Sequence, residues 1–345
     1  MSWAKIRGHI RQIDAFTRAV RANRLAHAYL FTGPPGIGKK TFAMELAKAL
    51  LCENPPKGQF NSCDHCASCH LVDAGTHPDV TVTGMPADKQ EFPISVMLGL
   101  CANLSLKPAR GTRRIAIVDD ADFFNEESGN CFLKTLEEPA PGAVLILICT
   151  DPGRQLPTIR SRCQQIVFES LPTEAIAELL RQQGVTDVGL VGRLSRLADG
   201  SPGLARELAK PEYWSFRRSL LEELQKPKPD SVMLSKQFMS FVEAAGKDGA
   251  TQRPRAMLLV QLVLDVFRQA LREDPAALLD SIEGPLLKKL AERLGPDGLL
   301  DRIERCLDAE LHIGRRAQLS LAVEALVDAI VQPGGVTNFR PAWSV

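Results

Sequence analysis

A chain of 345 residues with 45% hydrophobic and 24% charged residues has the composition of an ordinary soluble globular protein, with material for two or three domains. Its net charge of +1 argues against a dedicated nucleic-acid binder with a large basic footprint. No apolar run reaches the roughly 20 residues that cross a bilayer, and the N-terminus has no signal-peptide pattern, so a cytosolic setting without membrane contact is expected.

The first informative element is the apolar run Ala28-Tyr29-Leu30-Phe31, which reads as a strand over 28–32. Gly33-Pro34-Pro35-Gly36-Ile37-Gly38-Lys39 follows it, and Thr41 to Leu51 then reads as an amphipathic helix. This is G-x-x-x-x-G-K in the strand–loop–helix setting that a phosphate loop requires. The glycines let backbone N–H groups of the loop close on phosphate oxygens at a helix N-terminus, and Lys39 reaches toward the terminal phosphates. The next position ordinarily carries a hydroxyl that ligates Mg²⁺; here it is Lys40, whose ammonium repels that ion. Using Thr41 for the hydroxyl and Lys40 for the phosphate would put Lys39 where the second glycine belongs. The loop suits phosphate and is poorly equipped for catalysis.

Nine cysteines in such a chain point to metal ligands or core residues rather than disulfides. Four of them, Cys52, Cys63, Cys66 and Cys69, give C-x10-C-x2-C-x2-C in one insertion over 52–75. The x2 spacing turns neighbouring thiolates inward together, as tetrahedral Zn²⁺ needs, and four sulfurs leave no open coordination position. The stretch from Glu53 to Asn61 is rich in Pro, Gly and Asn and holds no core of its own, so a structural zinc would supply its stability. His65 and His70 are competing ligands within the cluster, and an iron–sulfur cluster is the alternative occupant.

Strands are expected near 80–83, 114–118, 143–149 and 165–168, alternating with helices, which predicts a parallel sheet with helices on both faces. The second of these, Arg114 to Val118, ends in Asp119-Asp120-Ala121-Asp122. A strand ending in an acidic pair is the Walker B pattern, with Asp119 placed to hold Mg²⁺ through its water shell. The second carboxylate is ordinarily Glu; Asp120 is one methylene shorter. A displacement of about 1 Å costs about a hundredfold in rate.

Three later runs, Leu133-Lys134-Thr135-Leu136-Glu137-Glu138-Pro139, Thr150-Asp151-Pro152 and Leu156-Pro157-Thr158-Ile159-Arg160-Ser161-Arg162-Cys163, carry a specific likeness. Together with His27-Ala28-Tyr29-Leu30-Phe31, the cysteine insertion and His77-Pro78-Asp79, they resemble the AAA+ clamp-loader family of bacterial DNA polymerase III. The resemblance covers residues 5–210 in detail. It implies that Thr150 holds the sensor 1 position beside the γ-phosphate and that Arg162 is an arginine finger given in trans to a neighbour. The bland reading is that Arg160 or Arg162 caps a surface loop. The sensor 2 position, ordinarily an arginine, falls on Gly203, with Arg206 a turn further on. Lys40, Asp120 and Gly203 thus depart from the family pattern on nucleotide chemistry, while Arg162 is intact.

Beyond Pro172 the strands stop. Residues 1–170 read as the AAA+ domain, 171–210 as a helical lid opening with Thr173 to Gln183, and 211–345 as a helical collar. The lid's first helix carries a capping-box-like Thr173-x-x-Ala. A break over Gln225 to Asp230, helices over Met257 to Leu271 and Gln318 to Ile330, and a loose tail from Gly334 to Val345 are expected. The function this implies is a non-hydrolysing subunit of the clamp loader. It would bear structural zinc and bind ATP or ADP weakly or not at all. Its partners would be the gamma/tau-type ATPase and delta subunits and, through the complex, the sliding clamp and primed DNA. The alternative is an active ATPase of the gamma/tau type.

Overall fold

A computed structural model describes residues 3, 6–86, 89, 91–247, 249–271, 283–315 and 317–331; the tail expected over 334–345 lies outside them. The chain divides into two compact units, Met1–Ala209 and Lys210–Val345. Among the described residues no helix is long and apolar enough to cross a membrane.

The first unit is built on five strands: β1 Ala28–Thr32, β2 Val80–Thr83, β3 Arg114–Val118, β4 Ala143–Ile148 and β5 Gln164–Val167. All pairings are parallel, in the order β2-β3-β4-β1-β5. Successive side chains of a strand point to opposite faces, and both faces here are apolar. Ala28, Leu30, Ala116, Val118, Leu145 and Leu147 belong to one core cluster, with Met97, Leu100 and Phe132. Tyr29, Phe31, Ile115, Ile117, Ile146 and Ile148 belong to the other. A sheet buried on both sides needs helices on both sides. The second cluster is aromatic at its centre, where Phe168 lies 5.0 Å from Phe31 and 5.1 Å from Phe42, centroid to centroid.

The helices of this unit are α1 Ile10–Arg21, α2 Lys39–Leu51, α3 Ala67–Asp73, α4 Ile94–Leu104, α5 Glu126–Glu137, α6 Pro157–Arg160, α7 Thr173–Gln182, α8 Val188–Leu197 and α9 Pro202–Leu208. Helix α2 begins at Lys39 rather than at the expected Thr41, because Gly38, at φ 104, is the residue that turns the chain into the helix. The capping box expected at Thr173 does not form. Pro172 is the N-cap, and no side-chain hydrogen bond caps the helix, so the fixed φ of proline takes the place of the hydroxyl. Strand β5 lies one residue earlier than expected.

The second unit is helical: α10 Pro211–Leu224, α11 Ser231–Glu243, α12 Gly249–Leu271, α13 Gly284–Gly314 and α14 Leu319–Val331. The expected break over 225–230 separates α10 from α11. Helix α13 is kinked at Gly295, whose φ of 64 and ψ of 173 precede Pro296. Arg217 is fully buried and is balanced by Asp265 and Glu283, both at 2.9 Å.

Candidate functional site

The phosphate loop leaves β1 at its C-terminal end and enters α2. Gly33, at φ 141, is required by space as well as by dihedral angle: a Cβ there would lie 2.1 Å from the Phe168 carbonyl oxygen. No side chain caps the N-terminus of α2, so its first-turn amides stay directed at the loop. Lys39 is 6% exposed, and its ammonium turns back to donate to the carbonyls of Gly33 and of Pro34, the latter at 2.7 Å. Burial lowers the pKa of Lys39, against the raising effect of Asp122 and, more weakly, of Asp119 and Asp120.

Lys40 points to the end of β3, where its Nζ lies 3.1 Å from Asp119 Oδ2. The lysine in the hydroxyl position and the first Walker B carboxylate are therefore partners. The donor set does not fit Mg²⁺: position 40 offers no oxygen, and the carboxylate already faces an ammonium. Asp120 adopts a left-handed φ of 57 and starts a short 3₁₀ turn, Ala121–Phe123. Thr41 sits in the first turn of α2, one residue past the position where the motif carries its hydroxyl.

Thr150, one residue beyond Cys149 at the end of β4, gives its amide at 2.8 Å and its hydroxyl at 2.8 Å to the Asp122 carboxylate. Sequence reasoning gave Asp122 no role. Its carboxylate holds Thr150 and the amide of Asp151 to the acidic turn. Gln155, also missed, is buried and donates from Nε2 to the Ala121 carbonyl at 2.6 Å. It joins that turn to the segment leading to Arg162. Nothing in a strand's apolar pattern announces either contact, since both are side-chain bonds between distant loops.

The lid meets the loop at Gly203. Its amide donates to the Gly36 carbonyl at 3.0 Å, and a Cβ at position 203 would lie 2.8 Å from that oxygen. Gly203 is thus the residue that lets α9 rest on the phosphate loop. Arg206 is exposed.

Arg162 lies at the opposite end of the strands. Strands β1 and β5 are parallel neighbours with Tyr29 opposite Gln164 and Thr32 opposite Val167. The loop follows Thr32, whereas Arg162 precedes Gln164. The two are separated by the strand length, about 10 Å or more at 3.3 Å per residue, further than an arginine side chain spans. Arg162 is exposed, with Nη2 at 2.6 Å from Glu137 Oε1 and Nη1 donating to the Thr158 carbonyl at 3.0 Å. Arg160 is also exposed and ends α6.

The four insertion thiols come together. The sulfurs of Cys52, Cys63, Cys66 and Cys69 all lie within 4.8 Å of one another, with Cys63 and Cys69 at 4.0 Å. Tetrahedral bonds of about 2.3 Å would put thiolate sulfurs about 3.8 Å apart, so the set has the dimensions of a metal site. All four cysteines are free of disulfides. Cys52 ends α2 and Cys66 caps α3 by accepting from the Cys69 amide. His65 and His70 are exposed and stand outside the group, which removes them as competing ligands. The amide of His65 leads in pulling the Cys63 thiol down to about 7, while burial pushes Cys69 up.

His77-Pro78-Asp79 ties this insertion to the sheet. His77 Nε2 is 3.3 Å from Ser68 Oγ in α3, and Nδ1 accepts from the Asp79 amide at 3.0 Å. The fully buried Asp79 carboxylate accepts from the amides of Ala109 at 2.6 Å, Arg110 at 2.8 Å and Gly111 at 3.3 Å.

The chain is similar to known proteins over most of its length. Residues 8–172 match the family model described as DNA polymerase III, delta subunit. The chain is 30% identical over 288 residues to the DNA polymerase III subunit delta' of Escherichia coli K12, covering 83% of this chain and 82% of that one. It is 33% identical over 319 residues to the subunit delta' of Bacillus subtilis 168, covering 91% and 92%. Among solved structures it resembles a DNA polymerase III gamma subunit-related protein from Thermotoga maritima, with a TM-score of 0.50 and 17% identity, covering 93% of this chain and 99% of that one.

Proposed function

The chain belongs to the delta-prime family of DNA polymerase III subunits, within the AAA+ clamp loaders, and from that premise we propose that it is a subunit which does not hydrolyse nucleotide itself but completes the site of a neighbouring ATPase. The observation that carries the reading is the Lys40–Asp119 pair, 3.1 Å apart where a hydrolysing P-loop needs a hydroxyl and a metal. Phosphoryl transfer depends on a divalent cation to gather the charge of the β- and γ-oxygens, and this pair offers it no seat. Gly203, in contact with the loop, supplies no cation in its place.

Two further features support the reading. Arg162 is separated from its own phosphate loop by a strand length, so any phosphate it meets belongs to another chain. Its partner Glu137 is exposed, and a surface pair of this kind contributes only about 0–1 kcal/mol, so the guanidinium is released at little cost. In a neighbour's site it would add positive charge as the transferred phosphoryl becomes charged. The backbone N–H groups of Gly36 to Lys39 and the Lys39 ammonium would hold phosphate without turnover, as ATP or ADP. Cys52, Cys63, Cys66 and Cys69 would hold a structural Zn²⁺, whose part is to fold the insertion. The partners are the gamma/tau-type ATPase and delta subunits and, through the assembled loader, the sliding clamp and primed DNA, in the cytoplasm. Phosphate release by the isolated chain, compared with the reconstituted loader, tests the proposal. Robust turnover by the isolated chain would sink it.

A further inference from the structure

Lys48 has no part in the phosphate loop and is not a thiol ligand, yet its side chain is 1% exposed and ringed by acids. Its Nζ lies 3.1 Å from Glu45 Oε2, 3.1 Å from Asp64 Oδ1 and 3.0 Å from Asp73 Oδ1. A lysine is seldom buried this deeply unless its charge is paired. Here the three carboxylates come from three segments, and each segment carries ligand thiols. Glu45 and Lys48 lie in α2, which ends at Cys52; Lys48 and Cys52 are four residues apart and share a face of the helix. Asp64 sits between Cys63 and Cys66 in a left-handed turn at φ 66, its Oδ1 also accepting from Ser62 Oγ at 2.6 Å. Asp73 ends α3, whose first turn holds Cys66 and Cys69.

We propose that Lys48 is the positioning residue of the four-thiol metal centre, a buried cation that draws the segments carrying all four sulfurs into register. The Pro- and Gly-rich stretch between Cys52 and Cys63 has little apolar material to do this by packing. Charge supports the same assignment. Four thiolates around Zn²⁺ leave a net double negative charge, and Asp64 stands next to Cys63 in sequence. Lys48 places a positive charge among three carboxylates beside that anionic centre. Coupling of this kind is reciprocal. If Lys48 tightens the metal, the metal also tightens the end of α2, the helix that begins at Lys39 and Lys40.

The test is competition for Zn²⁺ between a chromogenic chelator and the zinc-loaded full chain. Loss of groups that orient metal ligands typically costs roughly 10–100-fold in affinity, and Lys48→Met should fall in that range. Lys48→Arg, which keeps the charge, should recover most of it, while Lys57→Met, an exposed lysine of the same insertion, should match the wild type. Hydrogen exchange over residues 45–51 supplies a second readout. Removing zinc should speed it in the wild type and change it much less in Lys48→Met. If Lys48→Met does not fold, Asp73→Asn should still show reduced zinc retention with its circular dichroism unchanged. The assignment is overturned if Lys48→Met, or Asp73→Asn in its place, holds zinc as tightly as the wild type, if Lys48→Arg loses as much as Lys48→Met, or if the wild type takes up no zinc.

Discussion

Lys40 Nζ and Asp119 Oδ2 stand 3.1 Å apart, so the cation beside the first carboxylate after β3 is part of the chain. Nucleotide affinity should therefore be the same in Mg²⁺ and in chelator, and hydrolysis negligible in both. Lys40→Thr should create some Mg²⁺ dependence of binding but no fast ATPase, since Asp120 and Gly203 remain. More than half of the Lys40 side chain is exposed, so stability should change by no more than about 1 kcal/mol. Calorimetric titration and phosphate-release assays check this. Stronger binding by the wild type in Mg²⁺ than in chelator counts against it.

Gly203→Arg supplies the arginine ordinarily found at the sensor 2 position, yet it should not supply its function. Its Cβ meets the Gly36 carbonyl oxygen at 2.8 Å, and that oxygen belongs to backbone that cannot rotate aside. Overpacking of this kind costs roughly 1–3 kcal/mol. Thermal unfolding should move down with no gain in ATP hydrolysis. A variant that melts like the wild type would show that the lid contact is not tight.

Asp79 gives a pH dependence of known sign. Burial pushes its carboxyl up, but the amides of Ala109, Arg110 and Gly111 outweigh burial and hold it below the ordinary value of about 3.9. A carboxyl depressed in the folded state stabilises fully above its unfolded pKa, and that contribution is lost as pH falls through the folded one. Asp79→Ala should cost about 2–3 kcal/mol at pH 7. The gap from the wild type should narrow below about pH 4. Denaturant melts at pH 7 and pH 3.5 measure both, and a gap that stays constant would remove the carboxylate explanation.

The zinc-loaded chain should carry one metal ion, and Cys66→Ala should lose it. Cys66 both offers a sulfur and caps α3, so the insertion should loosen while the sheet, whose two core clusters are mainly apolar, stays folded. Elemental analysis together with circular dichroism reports the two effects separately. Retention of the metal by Cys66→Ala would mean that the four sulfurs do not form its site.

Arg162→Ala should leave folding and assembly intact and lower the ATPase rate of the reconstituted loader. A finger given in trans contributes roughly 10³–10⁵ at one site, and the whole-complex loss should be smaller because only one of several sites is affected. Arg160→Ala is the internal control and should do less. Equal effects of the two, or failure of the Arg162→Ala loader to assemble, would make Ser161-Arg162-Cys163 a docking element instead.

Much of the first unit was legible because its strands are short apolar runs and its loops carry backbone-dictated residues. Tyr29 and Phe31 alternate with Ala28 and Leu30, and that period of two is visible without coordinates. The glycines at 33, 36 and 38 announce the loop because few other residues accept their dihedrals. The four thiols were legible from their spacing, though the exclusion of His65 and His70 needed the third dimension. Illegible in the sequence were hydrogen bonds and ion pairs that side chains make to partners far away along it. Asp122 holding Thr150 and Gln155 reaching Ala121 leave no periodic trace, nor does Lys48 gathering Asp64 and Asp73. The approach of Gly203 to Gly36 was hidden for another reason: a missing arginine reads as a loss, whereas in the fold the absent side chain is what permits the contact.

The parallel order of the sheet gives the first unit a direction. If Arg162 serves a neighbour's phosphate loop, a surface at the starting ends of the strands meets one at the finishing ends, and the two are different patches. Such a contact is heterologous and cannot be shared equally by two copies about a twofold axis; repeated, it builds rings or open arcs. In an open arc each member but one is served by the subunit before it, so n subunits form n − 1 completed junctions. On the proposed reading, a member that gives without hydrolysing belongs at the unserved terminus of that series, where a loop that turns nothing over leaves no working junction unserved.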